Sequence, residues 1–271
     1  MHQRQHPSLA FIGGGNMAGA IFGGLLRSGW PAAAISVVEP AAEQRERIAA
    51  AHPGLVVRAA ADASLAAAEI VIWAVKPQSF EQAAAPCAAH LARALHLSVM
   101  AGIRSDAIVH ASGSQRVVRA MPNTPALIGQ GIAGLFARPA VDGAERATIE
   151  SVLAPTGALL WVAREEDLDA VTALSGSGPA YVFFFLEAML QAGVEMGLPA
   201  DQARRLAQQT FAGAAALAAQ SADPLELLRE RVTSKGGTTH AAISSLEASG
   251  MKAAIVQALH AARARAEELG R

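Results

Sequence analysis

Phe11-Ile12-Gly13-Gly14-Gly15-Asn16-Met17-Ala18 decides the fold, because it places a glycine-rich turn between a short apolar run, Leu9–Ile12, and an amphipathic run from Met17 to Ser28. A strand, a glycine turn and a helix start in that order form the context in which a dinucleotide is held. Gly13 suits the tight turn, Gly15 lets backbone N–H groups approach a diphosphate, and the small Ala18 lets helix and strand pack closely. Ile12, Gly13, Gly14, Gly15, Asn16 and Met17 are therefore candidate cofactor contacts, with the positive end of the helix dipole facing the anion. An ordinary glycine-rich βα turn is the alternative.

Working outward, short apolar runs alternate with Ala-rich amphipathic ones. Leu9–Ile12, Ile35–Glu39, Ile70–Val75, Leu95–Met100 and Val117–Met121 read as strands, and Met17–Ser28 and Glu43–His52 as helices. Gly131–Ala137 and Ala158–Val162 add two edge strands around a helix near Asp142–Leu153. This alternation predicts an α/β fold with a doubly wound, Rossmann-type sheet. After about Ala163 the strand signal stops and helical runs take over: Pro179–Met196, Pro199–Gln220, Pro224–Val232, Thr239–Ser249 and Met251–Leu269, punctuated by Gly197, Gly236–Gly237 and Gly250. The expected organisation is a dinucleotide-binding domain over residues 1–163 and an all-α domain over 164–271. Tyr181–Leu190 (YVFFFLEAML) is too apolar to be covered by about a hundred residues alone, so a partner subunit is expected.

Whole-chain properties exclude other classes. A chain of 271 residues with 52% hydrophobic and 17% charged residues folds into packed cores, and a net charge of −1 offers no broad positive field for nucleic acid. The single Cys87 forms no internal disulfide and suits a reducing compartment. Met1–Pro7 is polar and no later segment reads as a membrane span, so a soluble cytoplasmic protein without a membrane partner is expected. Eight histidines show no ligand spacing, and no metal site is expected.

Glu39 closes the second strand candidate, where an acidic side chain accepts hydrogen bonds from an adenine-ribose diol and repels a 2′-phosphate. Arg45 and Arg47 on the next helix could offset that charge, so the choice between NAD and NADP stays open, and capping of the next helix is the alternative role for Glu39. Ala74-Val75-Lys76-Pro77, Met100-Ala101-Gly102-Ile103 and Met121-Pro122-Asn123-Thr124-Pro125 all end strands. In an open parallel sheet, ligands lie outside the carboxyl ends, so Ala74, Val75, Lys76, Pro77, Met100, Ala101, Gly102 and Asn123 join the candidate cofactor contacts.

With Leu174-Ser175-Gly176-Ser177-Gly178-Pro179-Ala180-Tyr181 and Val232-Thr233-Ser234-Lys235-Gly236-Gly237-Thr238-Thr239, these segments closely resemble the pyrroline-5-carboxylate reductases, nearly from end to end. The resemblance implies an NAD(P)-binding Rossmann domain, a helical dimerisation domain, NADPH as cofactor with NADH as the second candidate, and reduction of a cyclic imino acid to L-proline in the last step of proline biosynthesis. It implies a homodimer or an assembly of dimers, with the site near a subunit interface. It also makes Thr239 the hydroxyl nearest the imine nitrogen, gives Gly237 and Thr238 a backbone role at the substrate carboxylate, and makes Glu165 a substrate-facing acid.

Residue chemistry agrees. The substrate carries one carboxylate and one C=N bond, and Gly236, Gly237, Thr238 and Thr239 lead into a helix whose backbone N–H groups can hold an anion, while Ser234 and Thr239 add hydroxyls. Ser234 and Thr239 are thus the catalytic candidates. A helix cap behind a glycine turn accounts for Thr239 and the glycines, but not for the crowded hydroxyls.

Overall fold

Leu9–Ile12 is apolar at all four positions, so both of its faces must be covered; it forms β1, buried throughout at the centre of the sheet. The computed structural model describes residues 6–270. Eight strands follow in chain order: β1, β2 (Ile35–Val38), β3 (Val56–Arg58), β4 (Ile70–Trp73), β5 (Leu95–Ser98), β6 (Val117–Met121), β7 (Gly131–Ala137) and β8 (Gly157–Trp161). Their spatial order is β3-β2-β1-β4-β5-β6-β7-β8. The first six pair in parallel, with Phe11 of β1 beside Val37 on one side and Ile72 on the other. β7 runs antiparallel to β6, and β8 parallel to β7. The winding direction reverses around β1, which opens a crevice at the carboxyl ends of β1 and β4.

Helices α1 (Asn16–Arg27), α2 (Ala42–Ala51), α3 (Phe80–Ala84), α4 (Ala88–Leu91), α5 (Ser105–Ser112) and α6 (Gly143–Leu153) accompany the sheet. Two apolar layers result, one around Phe11, Phe22, Ile35 and Leu153, the other around Trp73, Phe80, Leu91 and Ile108. Asp142 and Glu145 form a reciprocal capping box at the start of α6, so the sequence itself marks that boundary. The strand β3, at one edge, has no counterpart among the strands expected from the sequence; of the two expected edge strands only β8 lies at an edge, since β7 pairs with β6 and β8 and runs antiparallel to β6.

One buried polar pair ties β4 to β5. Trp73 Nε1 donates to His96 Nδ1 at 3.0 Å, and His96 Nε2 faces the Leu91 carbonyl at 3.2 Å, a pattern that fits a neutral imidazole protonated on Nε2. Burial lowers the His96 pKa to about 4. Because the folded pKa lies below the ordinary histidine value, the associated stability is present above about pH 6.5 and is lost as pH falls toward the folded value. The stability difference between the wild type and a His96→Leu variant, read from urea midpoints, is therefore expected to shrink steadily from pH 7 to pH 5, because only the histidine is strained by protonation. A constant difference would mean that His96 is not held neutral.

The remaining helices are α7 (Asp167–Val171), α8 (Gly178–Glu195), α9 (Ala200–Gln220), α10 (Leu225–Arg231), α11 (Thr238–Ala248) and α12 (Met251–Leu269), with a widened π turn at Thr172–Gly176 between α7 and α8. The described residues up to Ser177, together with those from Ala262 on, form one compact unit, and Gly178–Ala261 forms another. Residues 164–177 pack with the sheet although the strand signal ends at Ala163: Leu168 is buried, and Val171 fills the space over Gly134, where a Cβ would lie 2.8 Å from it. In the helical unit, Gly193 lets α8 approach Ala203 of α9, and Phe185 meets Phe211 at 6.0 Å. Phe183 and Phe184 nevertheless stay 58% and 70% exposed. The helical run Asp167–Glu195 spans 29 residues and is long and apolar enough to cross a membrane by length and composition alone, a test that core helices of soluble proteins also pass.

Candidate active site

The glycine turn is wedged between two strand ends. Gly13 N–H donates to the Val38 carbonyl at 2.9 Å, Ala74 N–H donates to Ile12 at 2.9 Å, and a Cβ on Gly13 would lie 2.7 Å from the Ala74 oxygen. With φ at +99°, Gly13 also holds a conformation open chiefly to glycine. The turn delivers Gly15 as the N-cap of α1, where no side chain caps the helix. The first helical donor in this turn is Gly19, bonding the Gly15 carbonyl, so the N–H groups of Asn16, Met17 and Ala18 have no helical acceptor. No atom beyond its chain neighbours lies within 4 Å of a Cβ built on Gly15. An open, uncapped helix start beside a glycine fits a diphosphate.

Glu39 braces this turn. Its Oε2 accepts from Gly14 N–H and its Oε1 from Ala41 N–H, each at 2.9 Å, while Gln44 Nε2 donates to the Gly14 carbonyl at 2.7 Å. Both carboxylate oxygens thus already bond backbone, and the Gly14 peptide is fixed from both sides. Arg45 folds back onto the Glu39 and Pro40 carbonyls at 3.0 and 2.6 Å. Gln44 escaped the sequence reading, since a glutamine on an exposed helix face carries no signal of its own.

Ala74, Val75, Lys76 and Pro77 follow β4, and Met100, Ala101 and Gly102 follow β5; the structure brings both groups to the carboxyl edge that carries the glycine turn. Met100 N–H donates to Ser98 Oγ at 3.3 Å, and Gly102 turns the chain with φ at +77°. Asn123 follows β6 at the same edge, but its amide is engaged at both ends: Oδ1 accepts from Ile132 N–H at 3.0 Å, and Nδ2 donates to the Ser175 carbonyl at 3.2 Å. Asn123 thereby ties the Ser175-Gly176-Ser177 segment to the sheet, and Met121 covers Gly176 so closely that a Cβ there would lie 2.5 Å from its methyl carbon.

Glu165 lies over the sheet, where it accepts from Ser105 N–H and Oγ, both at 2.6 Å, and from Arg119 Nη1 at 2.8 Å. Burial alone would raise its pKa, but the two Ser105 hydrogen bonds and the Arg119 guanidinium outweigh it and hold the carboxyl below its usual range. The other substrate candidates belong to the helical unit. Gly237 N–H donates to the Ser234 carbonyl at 3.0 Å around Gly236, whose φ is +76°. This turn packs Ser234 Oγ 2.6 Å from where a Gly237 Cβ would stand. Gly237 is the N-cap, with no side-chain cap, and α11 starts at Thr238 rather than at Thr239 as the sequence suggested. The first helical donor is Ala241, bonding Gly237, so the N–H groups of Thr238, Thr239 and His240 are left without a helical acceptor. Gly236, Gly237, Thr238, Thr239 and Ser234 thus gather at one anion-ready helix start.

Comparison with known proteins covers both units. The family described as pyrroline-5-carboxylate reductase dimerisation matches residues 165–269, and the one described as NADP oxidoreductase coenzyme F420-dependent matches residues 8–102. A pyrroline-5-carboxylate reductase of Pseudomonas aeruginosa is 46% identical over 268 residues, 97% of each chain. Among solved structures, a pyrroline-5-carboxylate reductase of Coxiella burnetii superposes with a TM-score of 0.90 at 34% identity, covering 98% of this chain and 100% of that one. The pyrroline carboxylate reductase of Plasmodium falciparum, solved with NADP bound, gives 0.87 at 26% identity, covering 99% and 100%.

Proposed function

Because the chain belongs to the pyrroline-5-carboxylate reductase family, we infer that it reduces 1-pyrroline-5-carboxylate to L-proline with NADPH, NADH being the second candidate donor. The end-to-end match to reductases of that name carries the reading, and the geometry supports it at both ends of the reaction. The uncapped start of α1 suits the cofactor diphosphate, while that of α11 suits a substrate carboxylate. When bound, the reduced nicotinamide would supply a hydride to the carbon of the solvent-protonated imine, whose C=N π electrons become the lone pair of the amine nitrogen, which takes its further proton from solvent. Ile12–Met17, Glu39, Ala74–Pro77, Met100–Gly102 and Asn123 line the cofactor's side. Gly236, Gly237 and Thr238 hold the carboxylate, and Thr239, with Ser234, orients the nitrogen. Glu165 supports the substrate side through the charge it shares with Arg119. Residues 164–271 carry the helical dimerisation and substrate-binding part, of which 164–177 and the residues from Ala262 on belong to the sheet's compact unit. The test is oxidation of NADPH by the purified protein with pyrroline-5-carboxylate, alongside oxidation assays with hydroxy acids; turnover of hydroxy acids alone would overturn the reading.

The exposed aromatic face of α8 is covered by a second copy of this chain. Sedimentation at assay concentration is expected to give dimers or larger assemblies, and a stable active monomer would contradict this. A cytoplasmic location accords with the lone Cys87, whose thiol pKa is pushed up to about 11 by burial.

Cofactor choice turns on Glu39. Glu39→Gln keeps one oxygen for the Gly14 N–H and removes the charge at the end of β2, so the NADPH-to-NADH ratio of kcat/KM values is expected to rise ~5- to 30-fold, or ~1–2 kcal/mol. Equal changes with both cofactors would show that the carboxylate does not face the ribose.

A further inference from the structure

The chain between β5 and α5 is gripped by Glu165, already placed on the substrate side, and by Arg104, Asp169 and the end of α12, which neither cofactor nor substrate contacts account for. Arg104, the residue before α5, offers that helix no cap, and Glu165 caps Ser105 from sixty positions away in sequence. Arg104 itself donates through Nη2 to Asp169 Oδ2 at 2.7 Å and through Nε to the Gly270 carbonyl at 3.4 Å. Asp169 is buried. The fit leaves no slack: a Cβ on Gly102 would lie 3.0 Å from the Leu269 oxygen, and one on Gly270 would lie 2.8 Å from Arg104 Nε. Residues 102–105 are therefore held between α7 and its approach on one side and the end of α12 on the other, all within one compact unit.

This grip contains more buried donors than acceptors. Arg104 Nη1 and Arg119 Nε are both buried without a hydrogen-bond partner; their two guanidinium groups face the carboxylates of Asp169 and Glu165, beside Arg138, whose Nη1 donates to Ser105 Oγ at 3.0 Å and whose Nε is likewise buried without a partner. Buried ion pairs with orphaned donors contribute little net stability, since desolvation offsets the attraction. What such a network does supply is a fixed geometry, and the segment it fixes begins directly after Met100, Ala101 and Gly102.

We propose that Arg104, Asp169 and the Leu269–Gly270 carbonyls form a clasp that holds Met100–Ile103 in register for hydride transfer. Arg104 is a positioning residue: it acts on the reacting end of the cofactor through the backbone of that segment. The proposal rests on the cofactor reading above. It separates the two halves of the cofactor, because the diphosphate is held by the turn at Gly13–Gly15 and the adenosine ribose by the end of β2, elements the clasp does not touch.

The test compares wild type, Arg104→Gln, Arg104→Lys and a chain shortened by Leu269 to Arg271. Single-turnover hydride transfer is measured at saturating NADPH and pyrroline-5-carboxylate, beside the Kd of adenosine 2′,5′-bisphosphate and the melting temperature. Hydride transfer is expected to fall ~10- to 100-fold in Arg104→Gln and several-fold in the shortened chain, with partial recovery in Arg104→Lys and an unchanged Kd for the fragment. Hydride transfer within twofold of wild type in Arg104→Gln overturns the clasp, as does a loss of fragment affinity that parallels the loss of rate. If Arg104→Gln does not fold, the shortened chain decides by the same criteria. A wild type that does not turn over pyrroline-5-carboxylate overturns the functional reading as well, whereas an active wild type with an unimpaired Arg104→Gln overturns the clasp alone.

Discussion

Thr239→Ala is expected to lower kcat/KM for pyrroline-5-carboxylate by ~10- to 1000-fold while leaving the melting temperature nearly unchanged. The sequence leaves two roles open for this hydroxyl, a helix cap or a contact to the reacting nitrogen. The structure removes much of the case for the first: Gly237 is the N-cap, Thr239 is the second residue of α11, and no side chain caps that helix. The ~1 kcal/mol typically lost with a capping hydroxyl is therefore not expected here. Thr238→Ala is the control. A carboxylate held by the Thr238 backbone N–H survives that change, so its effect should be smaller. Both variants are measured at saturating NADPH, with thermal melts to correct for unfolded protein. Equal, mild losses at both positions would place the reacting end of the substrate elsewhere.

The second large effect separates two glycines that are two positions apart. Gly15→Ala is expected to raise the KM for NADPH by at least ~10-fold without lowering the melting temperature, because the space beside Gly15 is open in the protein itself and its φ of −72° suits any residue. Only a ligand approaching the backbone there would meet the added methyl group. Gly13→Ala should instead destabilise the fold by about 3 kcal/mol or more, since it combines a φ of +99° with a Cβ 2.7 Å from the Ala74 oxygen. An unchanged KM in a well-folded Gly15→Ala variant would mean that no diphosphate lies at the start of α1.

The sheet was legible where burial on both faces forces continuous apolar runs. Leu9–Ile12, Ile70–Trp73 and Val117–Met121 announce themselves because each must be covered above and below. Val56–Arg58 does not: three residues at the sheet's edge, partly exposed, contain no period to read. The direction of β7, which lies between β6 and β8, was hidden for a different reason, since an apolar strand pattern is the same whichever way the strand runs. At the site, the glycine turns and hydroxyl loop could be read because local backbone geometry demands particular residues in sequence order. The Glu165–Ser105–Arg119 and Arg104–Asp169 contacts could not, because each joins residues 46 to 65 positions apart, and nothing in the spacing of a lone arginine names its partner. Glu39 shows the limit between the two: its place after β2 was readable, its bonds to Gly14 and Ala41 were not.

The return of the end of α12 to the turn at Gly102 bears on how the protein should be labelled at the bench. The Leu269 carbonyl stands against Gly102, and Arg104 reaches for the carbonyl of Gly270, so a label or cross-linker placed at Leu269 or Gly270 would sit beside the Met100–Ile103 segment. At the other end, Ser8 is anchored to Glu69 and Ala67 where β1 begins, across the sheet from its carboxyl edge. Fluorophores and surface tethers belong near Ser8 and Ala67, at that end of the sheet, where their bulk lies away from the cofactor crevice.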